Sequence, residues 1–307
     1  MKTLIVKEGT LGGLVRLTPL FSVLKGEIYW LTLPDAAALL PQGSTVKIIN
    51  IKDFEKNPEH IAFDLVLNLE DSEEHAKLVV QLAPKRVVGA FWDEKRNVVD
   101  YTPESGVWFD LGAISRYGKK KADELKFVNR KSYQEMVFEM LGIPFNGEEY
   151  LMSGVVQQGK MPTSEAHGKI IIALEGRAGE KWPMKRWHGY AELAARLEEA
   201  GFEPRLLGQR ATLAEYENDI NQCDILVSGD TLAMHLGLAL KKQLVTIFTC
   251  TSPWEVYDYG RMTKMISPLL EKGFYKRDYF ADVVNAVTVD DVFDAVVQRA
   301  KLLKSSK

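Results

Sequence analysis

The chain has 307 residues, enough for two domains of ordinary size, and 46% of them are hydrophobic and 26% charged. That balance belongs to a globular protein with buried cores, and a net charge of −3 gives no general attraction for nucleic acid. Cys223 and Cys250 are the only cysteines, which fits a reducing cytoplasm and argues against a zinc site.

In chain order, Lys2–Lys7 is a short β-branched run that predicts a strand, with no basic and apolar leader before it, so no signal peptide is expected. No apolar run is long enough to span a bilayer. Gly9–Gly13 reads as a glycine-rich turn, and Leu14–Lys25 as a helix interrupted at Pro19. Strands are expected at Glu27–Leu33, Val46–Ile49 and Phe63–Leu69, with a short helix at Asp35–Leu40. The strand at Phe63–Leu69 ends at Glu70-Asp71, and a helix to about Leu82 follows. Strands alternating with helices at this spacing predict a parallel, doubly wound sheet.

Val87–Phe91 and Asn97–Tyr101 flank a polar turn and predict a hairpin, with Trp92, Trp108 and Phe109 forming a small apolar core nearby. Lys119–Lys121 reads as a solvated loop that could also meet an anionic acceptor or lipid headgroups, ahead of a helix at Ser132–Leu141. Gly154–His167 is Gly-, Gln- and Ser-rich and reads as the linker between domains 1–155 and 156–307.

A second βα series begins at Lys169–Leu174. It continues with a helix near Lys185–Ala200, a strand at Pro204–Leu207, a helix at Leu213–Gln222, strands at Ile225–Val227 and Leu244–Phe248, and a terminal amphipathic helix at Val289–Leu303. Three strand ends in this half carry polar or glycine residues. The loop Glu175–Pro183 brings Arg177 and Lys181 to the carboxyl end of a strand, where doubly wound sheets bind ligands. Gly208-Gln209 ends another strand.

The third end carries the most chemistry. Ser228-Gly229-Asp230-Thr231 reads as a tight turn and N-cap between a buried strand and a helix with Leu232, Leu236 and Leu240 on one face. Backbone N–H groups at such a turn, with the helix dipole behind them, can hold a phosphate. Thr231 and His235 are four residues apart and can point at one ligand. The plainer alternative is a capped helix with His235 packed among its neighbours. His60 and His75 read as surface residues, and no histidine pair has metal-ligand spacing.

Taken together, Lys181-Trp182-Pro183 with Trp187, Leu206-Leu207-Gly208, Asp230-Thr231-Leu232-Ala233-Met234-His235, Thr251-Ser252-Pro253 and Tyr259-Gly260 resemble glycosyltransferase family nine, the ADP-heptose:lipopolysaccharide heptosyltransferases. Val6-Lys7 through Leu11-Gly12, Thr18-Pro19-Leu20 and Asn68-Leu69 match as well, so the resemblance spans nearly the whole chain. It implies a GT-B architecture, α/β with two Rossmann-like doubly wound domains facing a central cleft. An ADP-sugar would bind the C-terminal domain, its diphosphate held by Gly229, Asp230, Thr231, Leu232 and His235, with Arg177 and Lys181 near its charge and Gly208 and Gln209 near its adenosine. The acceptor, a glycolipid or other saccharide, would meet the N-terminal domain near Gly12, Gly13, Arg16, Glu70 and Asp71. The family inverts the anomeric carbon by direct displacement, which implies no required cofactor and no metal.

The chain also departs from that pattern. Family members usually carry Asp after the glycine of L-G-D, where it is the proposed base; this chain has Leu11-Gly12-Gly13. Leu232 stands where many relatives have Gly, and the stretch between Gly208 and Thr212 is short. Three readings of Gly13 stay open. Another carboxylate supplies the base, with Glu8 the first choice and Glu70 or Asp71 the second; or the protein binds a nucleotide-sugar without transferring it; or the position was substituted to trap an inactive form. The expectation is therefore a cytoplasmic transferase, with Glu8, Lys181 and Asp230 as catalytic groups, peripheral contact with the inner face of a membrane, and no nucleic-acid partner. A Rossmann dehydrogenase is disfavoured because the N-terminal glycines do not form G-x-G-x-x-G.

Overall fold

A computed structural model describes residues 1–33, 38–41, 46–50, 54, 61–152 and 168–305. The chain divides into two compact units, Met1–Ser153 and Gly154–Lys307, close to the division expected at 155/156. The expected linker at Gly154–His167 and His60 lie outside the described residues, as does the first half of the expected helix at Asp35–Leu40.

The first unit is built on a six-stranded sheet of β1 (Lys2–Val6), β2 (Glu27–Thr32), β3 (Val46–Asn50), β4 (Leu65–Asn68), β5 (Arg86–Asp93) and β6 (Val98–Tyr101), in the order β3-β2-β1-β4-β5-β6. All pairs are parallel except the β5–β6 hairpin. Strand order reverses between β1 and β4, and that switch point is where an open sheet of this type leaves a crevice for ligand. Its helices are α1 (Leu11–Val15), α2 (Leu20–Val23), α3 (Glu73–Gln81), α4 (Gly106–Phe109), α5 (Gly118–Val128) and α6 (Tyr133–Met140). Both faces of the sheet are covered. Ile5, Trp30, Leu67 and Val88 pack with Leu14, Val137 and Phe138 on one side, while Leu4, Leu31 and Val66 pack with Phe63 and Val79 on the other. Burial on both faces is why these strands read as continuous apolar runs.

The second unit carries a five-stranded, wholly parallel sheet ordered β11-β10-β9-β7-β8. Its strands are β7 (Ile171–Glu175), β8 (Glu203–Leu206), β9 (Ile225–Gly229), β10 (Gln243–Phe248) and β11 (Met262–Ile266). Its helices are α7 (Tyr190–Glu199), α8 (Leu213–Asn221), α9 (Leu232–Ala239), α10 (Leu270–Gly273), α11 (Ala281–Asn285) and α12 (Val289–Ser305). The reversal here falls between β7 and β9. Every residue of α9 from Ala233 to Ala239 is buried, so this helix is apolar all round rather than amphipathic.

Four expectations are corrected. Gly12 and Gly13 lie in α1 rather than in a turn, because extended Thr10 caps the helix and its Oγ1 accepts from the Gly13 N–H at 3.3 Å. Lys119–Lys121 belong to α5, where Lys119 pairs with Asp123 and Lys121 with Glu124 one turn away. The helix expected from Lys185 starts only at Tyr190. Pro183–Lys185 form a 3-10 turn, after which the chain carries Trp187 into the core, its Nε1 donating to the Val287 carbonyl at 2.8 Å. A Cβ at Gly189 would sit 2.3 Å from that indole ring, so only glycine lets α7 begin there. Finally, His75 is buried (5% exposed) and not a surface residue. The strand β11 and the short helices α10 and α11 had no clear signal in the sequence, since Met262–Ile266 is a half-buried edge strand and the helices are only four and five residues long.

Candidate nucleotide-sugar site

The site in the second unit grows from the β9 end. Gly229 closes the strand, Asp230 makes the turn, and Thr231 is the N-cap of α9 in extended conformation. Gly229 is required by close approach: a Cβ there would meet the Lys185 carbonyl oxygen at 2.9 Å. Lys185 is thereby held beside the turn. Its Nζ donates to Asp230 Oδ2 at 2.9 Å and to the Asp230 carbonyl at 2.5 Å. Thr251 Oγ1 donates to the same Oδ2 at 2.6 Å, and His235 Nε2 stands 4.0 Å from Oδ1. Asp230 is thus one carboxylate oriented by an ammonium, a hydroxyl and an imidazole, with little solvent to screen them.

The N-terminus of α9 is left uncapped by its own N-cap. Thr231 makes no side-chain capping bond, and its buried Oγ1 has no hydrogen-bond partner among the described residues. Thr231, Leu232 and Ala233 line a cavity of about 420 Å³, together with Arg177, Gln209 and Tyr216. Orphan amides, an unpaired hydroxyl and a positive helix end at the mouth of a cavity are chemically able to hold an anion. Leu213 and the Tyr216 ring contribute apolar surface to the same cavity.

The far wall is set by Glu175, the last residue of β7, which is only 1% exposed. Arg177 grips it through Nε at 3.0 Å and Nη2 at 2.6 Å, and the Tyr216 hydroxyl donates to its Oε2 at 2.6 Å. Burial, with Glu175 beside it, pushes the Tyr216 phenol far above its usual range, so it stays protonated and keeps donating. Arg177 therefore reaches the cavity already spent on a carboxylate.

The residues expected here are distributed as follows. Arg177, Gln209, Thr231 and Leu232 line the cavity, and the Leu232 side chain occupies space that a glycine would leave open. Gly208 is exposed and does not line it. Lys181 is exposed, and its carbonyl accepts from Arg277 Nη1 at 3.1 Å. Lys185 is the cation found against Asp230; the expected helix near Lys185–Ala200 gave it no role at this turn. Thr251, which follows β10, is the second residue that sequence reasoning left without a role.

In the first unit, the carboxyl ends of β1 and β4 carry the expected acceptor-side residues. Glu70 Oε1 accepts from Lys7 Nζ at 2.6 Å and from the N–H groups of Glu8 and Gly9 at 2.9 and 3.2 Å. That oxygen is consumed in holding the loop before α1. Glu8 is partly exposed, with Oε2 3.5 Å from His75 Nε2. Arg16 lies over the Tyr133 ring at 4.0 Å, Asp71 is exposed, and a Cβ at Gly13 would meet only Thr10 Oγ1 at 3.4 Å and Tyr133 Oη at 4.0 Å. Among the described residues no cluster of three or more His, Cys, Asp or Glu is placed to hold a metal ion, and no helix is long and apolar enough to cross a membrane.

Two parallel-sheet α/β units in one chain give the fold of the GT-B glycosyltransferases. The chain is similar to the glycosyl transferase family 9 protein from Veillonella parvula DSM 2008, at 14% identity and a TM-score of 0.62, over 97% of this chain and 96% of that one. It is similar to the E. coli heptosyltransferase WaaC, solved with ADP-2-deoxy-2-fluoro heptose, at 15% identity and a TM-score of 0.62, over 97% and 99% of the two chains. It is also similar to E. coli ADP-heptose lps heptosyltransferase II, at 16% identity and a TM-score of 0.57, over the full length of both. Residues 205–276 match the family model of Glycosyltransferase family 9 (heptosyltransferase), a segment that contains the Asp230–His235 turn. No curated protein matches the chain.

Proposed function

We propose that the protein is an inverting glycosyltransferase that moves a sugar, a heptose by the family likeness, from an ADP-sugar to a lipopolysaccharide-core or other saccharide acceptor. The observation that carries this reading is the uncapped N-terminus of α9 opening on a cavity beside the Lys185–Asp230 pair. The second unit binds the donor. Its diphosphate lies against the amides after Thr231, and its nucleoside extends toward Gln209 and Tyr216.

The ammonium of Lys185 has three donors, of which two go to Asp230. The third reaches a phosphate oxygen. As the glycosyl–phosphate bond breaks, negative charge grows on the departing diphosphate, and fixed amides with a cation stabilise it without reorganising. Lys181 stands at the mouth of the same loop and adds long-range charge. Asp230 orients Lys185 and faces the sugar. No cofactor is needed for this displacement.

The acceptor approaches the first unit, where Glu8 serves as base in place of the carboxylate missing at Gly13. Glu70 is the weaker candidate because its Oε1 is held by three donors. The protein works in the cytoplasm, and the exposed Lys119–Lys121 of α5 favour peripheral contact with an anionic membrane face that presents a glycolipid acceptor. Gly13 supports a second reading, a nucleotide-sugar-binding protein without turnover. A calorimetric screen of ADP-, UDP- and GDP-sugars, followed by assay of ADP release with saccharide acceptors, separates them. Transfer predicts ADP-sugar binding with ADP release, the second reading predicts binding alone, and tight binding of a UDP-sugar only contradicts the ADP-sugar donor.

A further inference from the structure

We infer that His75 is a positioning residue for Glu8, a role that rests on the reading of Glu8 as the base. His75 lies in the first turn of α3, just after the β4 end, and Glu8 follows β1; the two strands are neighbours at the point where the sheet order reverses. The histidine is buried, and its Nε2 has no hydrogen-bond partner among the described residues. A buried ring nitrogen without a partner carries a desolvation cost that a structural histidine would avoid. The group it faces is Glu8 Oε2, at 3.5 Å. From that distance a rotation of the carboxylate toward the ring forms a hydrogen bond, as acid–base pairs often do only once substrate is bound.

Ser72 lies on the other side of the ring. Ser72 caps α3, and its Oγ accepts from the His75 backbone N–H at 3.2 Å. The same Oγ lies 2.5 Å from His75 Nδ1. With two lone pairs and one hydrogen, the hydroxyl can accept from the backbone and still donate to Nδ1. Nε2 faces a carboxylate, so the ring N–H belongs there, pointing at Glu8, with Nδ1 accepting from Ser72. Lys7 and Glu70 complete the charged surroundings, but they bind each other at 2.6 Å and Glu70 takes the Glu8 N–H, so they fix the Glu8 backbone rather than its carboxylate. Glu8 Oε1 makes no hydrogen bond or ion pair among the described residues.

The step then balances simply. The acceptor O–H gives its proton to Glu8 Oε1 while its oxygen forms the bond to the anomeric carbon; the bond from that carbon to the diphosphate oxygen breaks, and the electron pair leaves with the diphosphate. His75 holds Oε2 so that Oε1 faces the acceptor, and it neither gains nor loses a proton. A donor N–H at this place is the whole requirement, so a side-chain amide can partly replace the ring.

The contact itself is read by nitrogen-15 NMR of the histidine rings in the full-length chain. Nε2-protonated His75, with ring signals that move on Glu8→Gln, is expected; an Nδ1-protonated ring, or one indifferent to Glu8→Gln, overturns the inference even if the protein transfers no sugar. Turnover tests the role. His75→Ala is expected to lower kcat about 10-fold or more with the donor KM nearly unchanged, His75→Gln to recover part of the loss, and His75→Ala to cost nothing further in Glu8→Gln. An undiminished loss in the Glu8→Gln background, or a loss confined to KM, overturns it. If wild type shows no transfer with any acceptor, the base assignment fails and the NMR result alone decides whether the ring holds the carboxylate.

Discussion

Lys185 Nζ binds both the Oδ2 and the carbonyl oxygen of Asp230, at 2.9 and 2.5 Å, joining the 3-10 turn after Trp182 to the start of α9. The two side chains are about equally buried, so the pair is screened far less than a surface salt bridge. Removing the cation strands a carboxylate beside the helix mouth, where it would repel a diphosphate.

Lys185→Ala should therefore weaken ADP binding by about 10- to 100-fold, measured by titration calorimetry. Lys181→Ala should weaken it less, since that side chain is exposed and acts through solvent.

Gly229→Ala should damage the same joint from the backbone side. The added methyl would lie 2.9 Å from the Lys185 carbonyl oxygen, so the 3-10 turn must move. A loss of about 1–3 kcal/mol in denaturant-determined stability is expected, together with weaker ADP binding.

Stability should also depend on Glu217 of α8, which is 4% exposed. Burial alone pushes its carboxyl from 4.5 up to about 7. Between those values the folded chain holds a proton that the unfolded chain has released, so stability falls as pH rises through the window and levels off above it. Glu217→Gln should flatten that part of the profile and stabilise the protein at pH 8 by about 1–3 kcal/mol, read from urea melts at several pH values.

Gly13→Asp should be tolerated, because the position is helical and its Cβ would have only ordinary neighbours at 3.4 and 4.0 Å. If Glu8 does the work of the missing carboxylate, Gly13→Asp should restore transfer in the impaired Glu8→Gln protein, measured as ADP release.

Much of this was legible in the sequence. Strands buried on both faces announce themselves as apolar runs, so β1, β2, β4, β7, β9 and β10 were expected within a residue or two, and the hairpin before Tyr101 was marked by its polar turn. The resemblance to family nine pointed to the Asp230–His235 turn, and the segment that matches the family model contains it. Lys185 was not legible, because its place depends on Trp187 entering the core and delaying α7 to Tyr190. Nor was His75, which looked polar and exposed between acidic neighbours; its burial follows from Ser72 capping α3 and from Glu70 folding back onto Lys7. Contacts between residues far apart in the chain decided both.

A crystal structure of the full-length protein with ADP tests the central claim most directly. The diphosphate should lie within hydrogen-bond distance of the Leu232 and Ala233 amides, with Thr231 Oγ1 and Lys185 Nζ on its oxygens and the adenosine toward Gln209 and Tyr216. Nucleotide bound elsewhere in the chain, with the amides that follow Thr231 untouched, would contradict it.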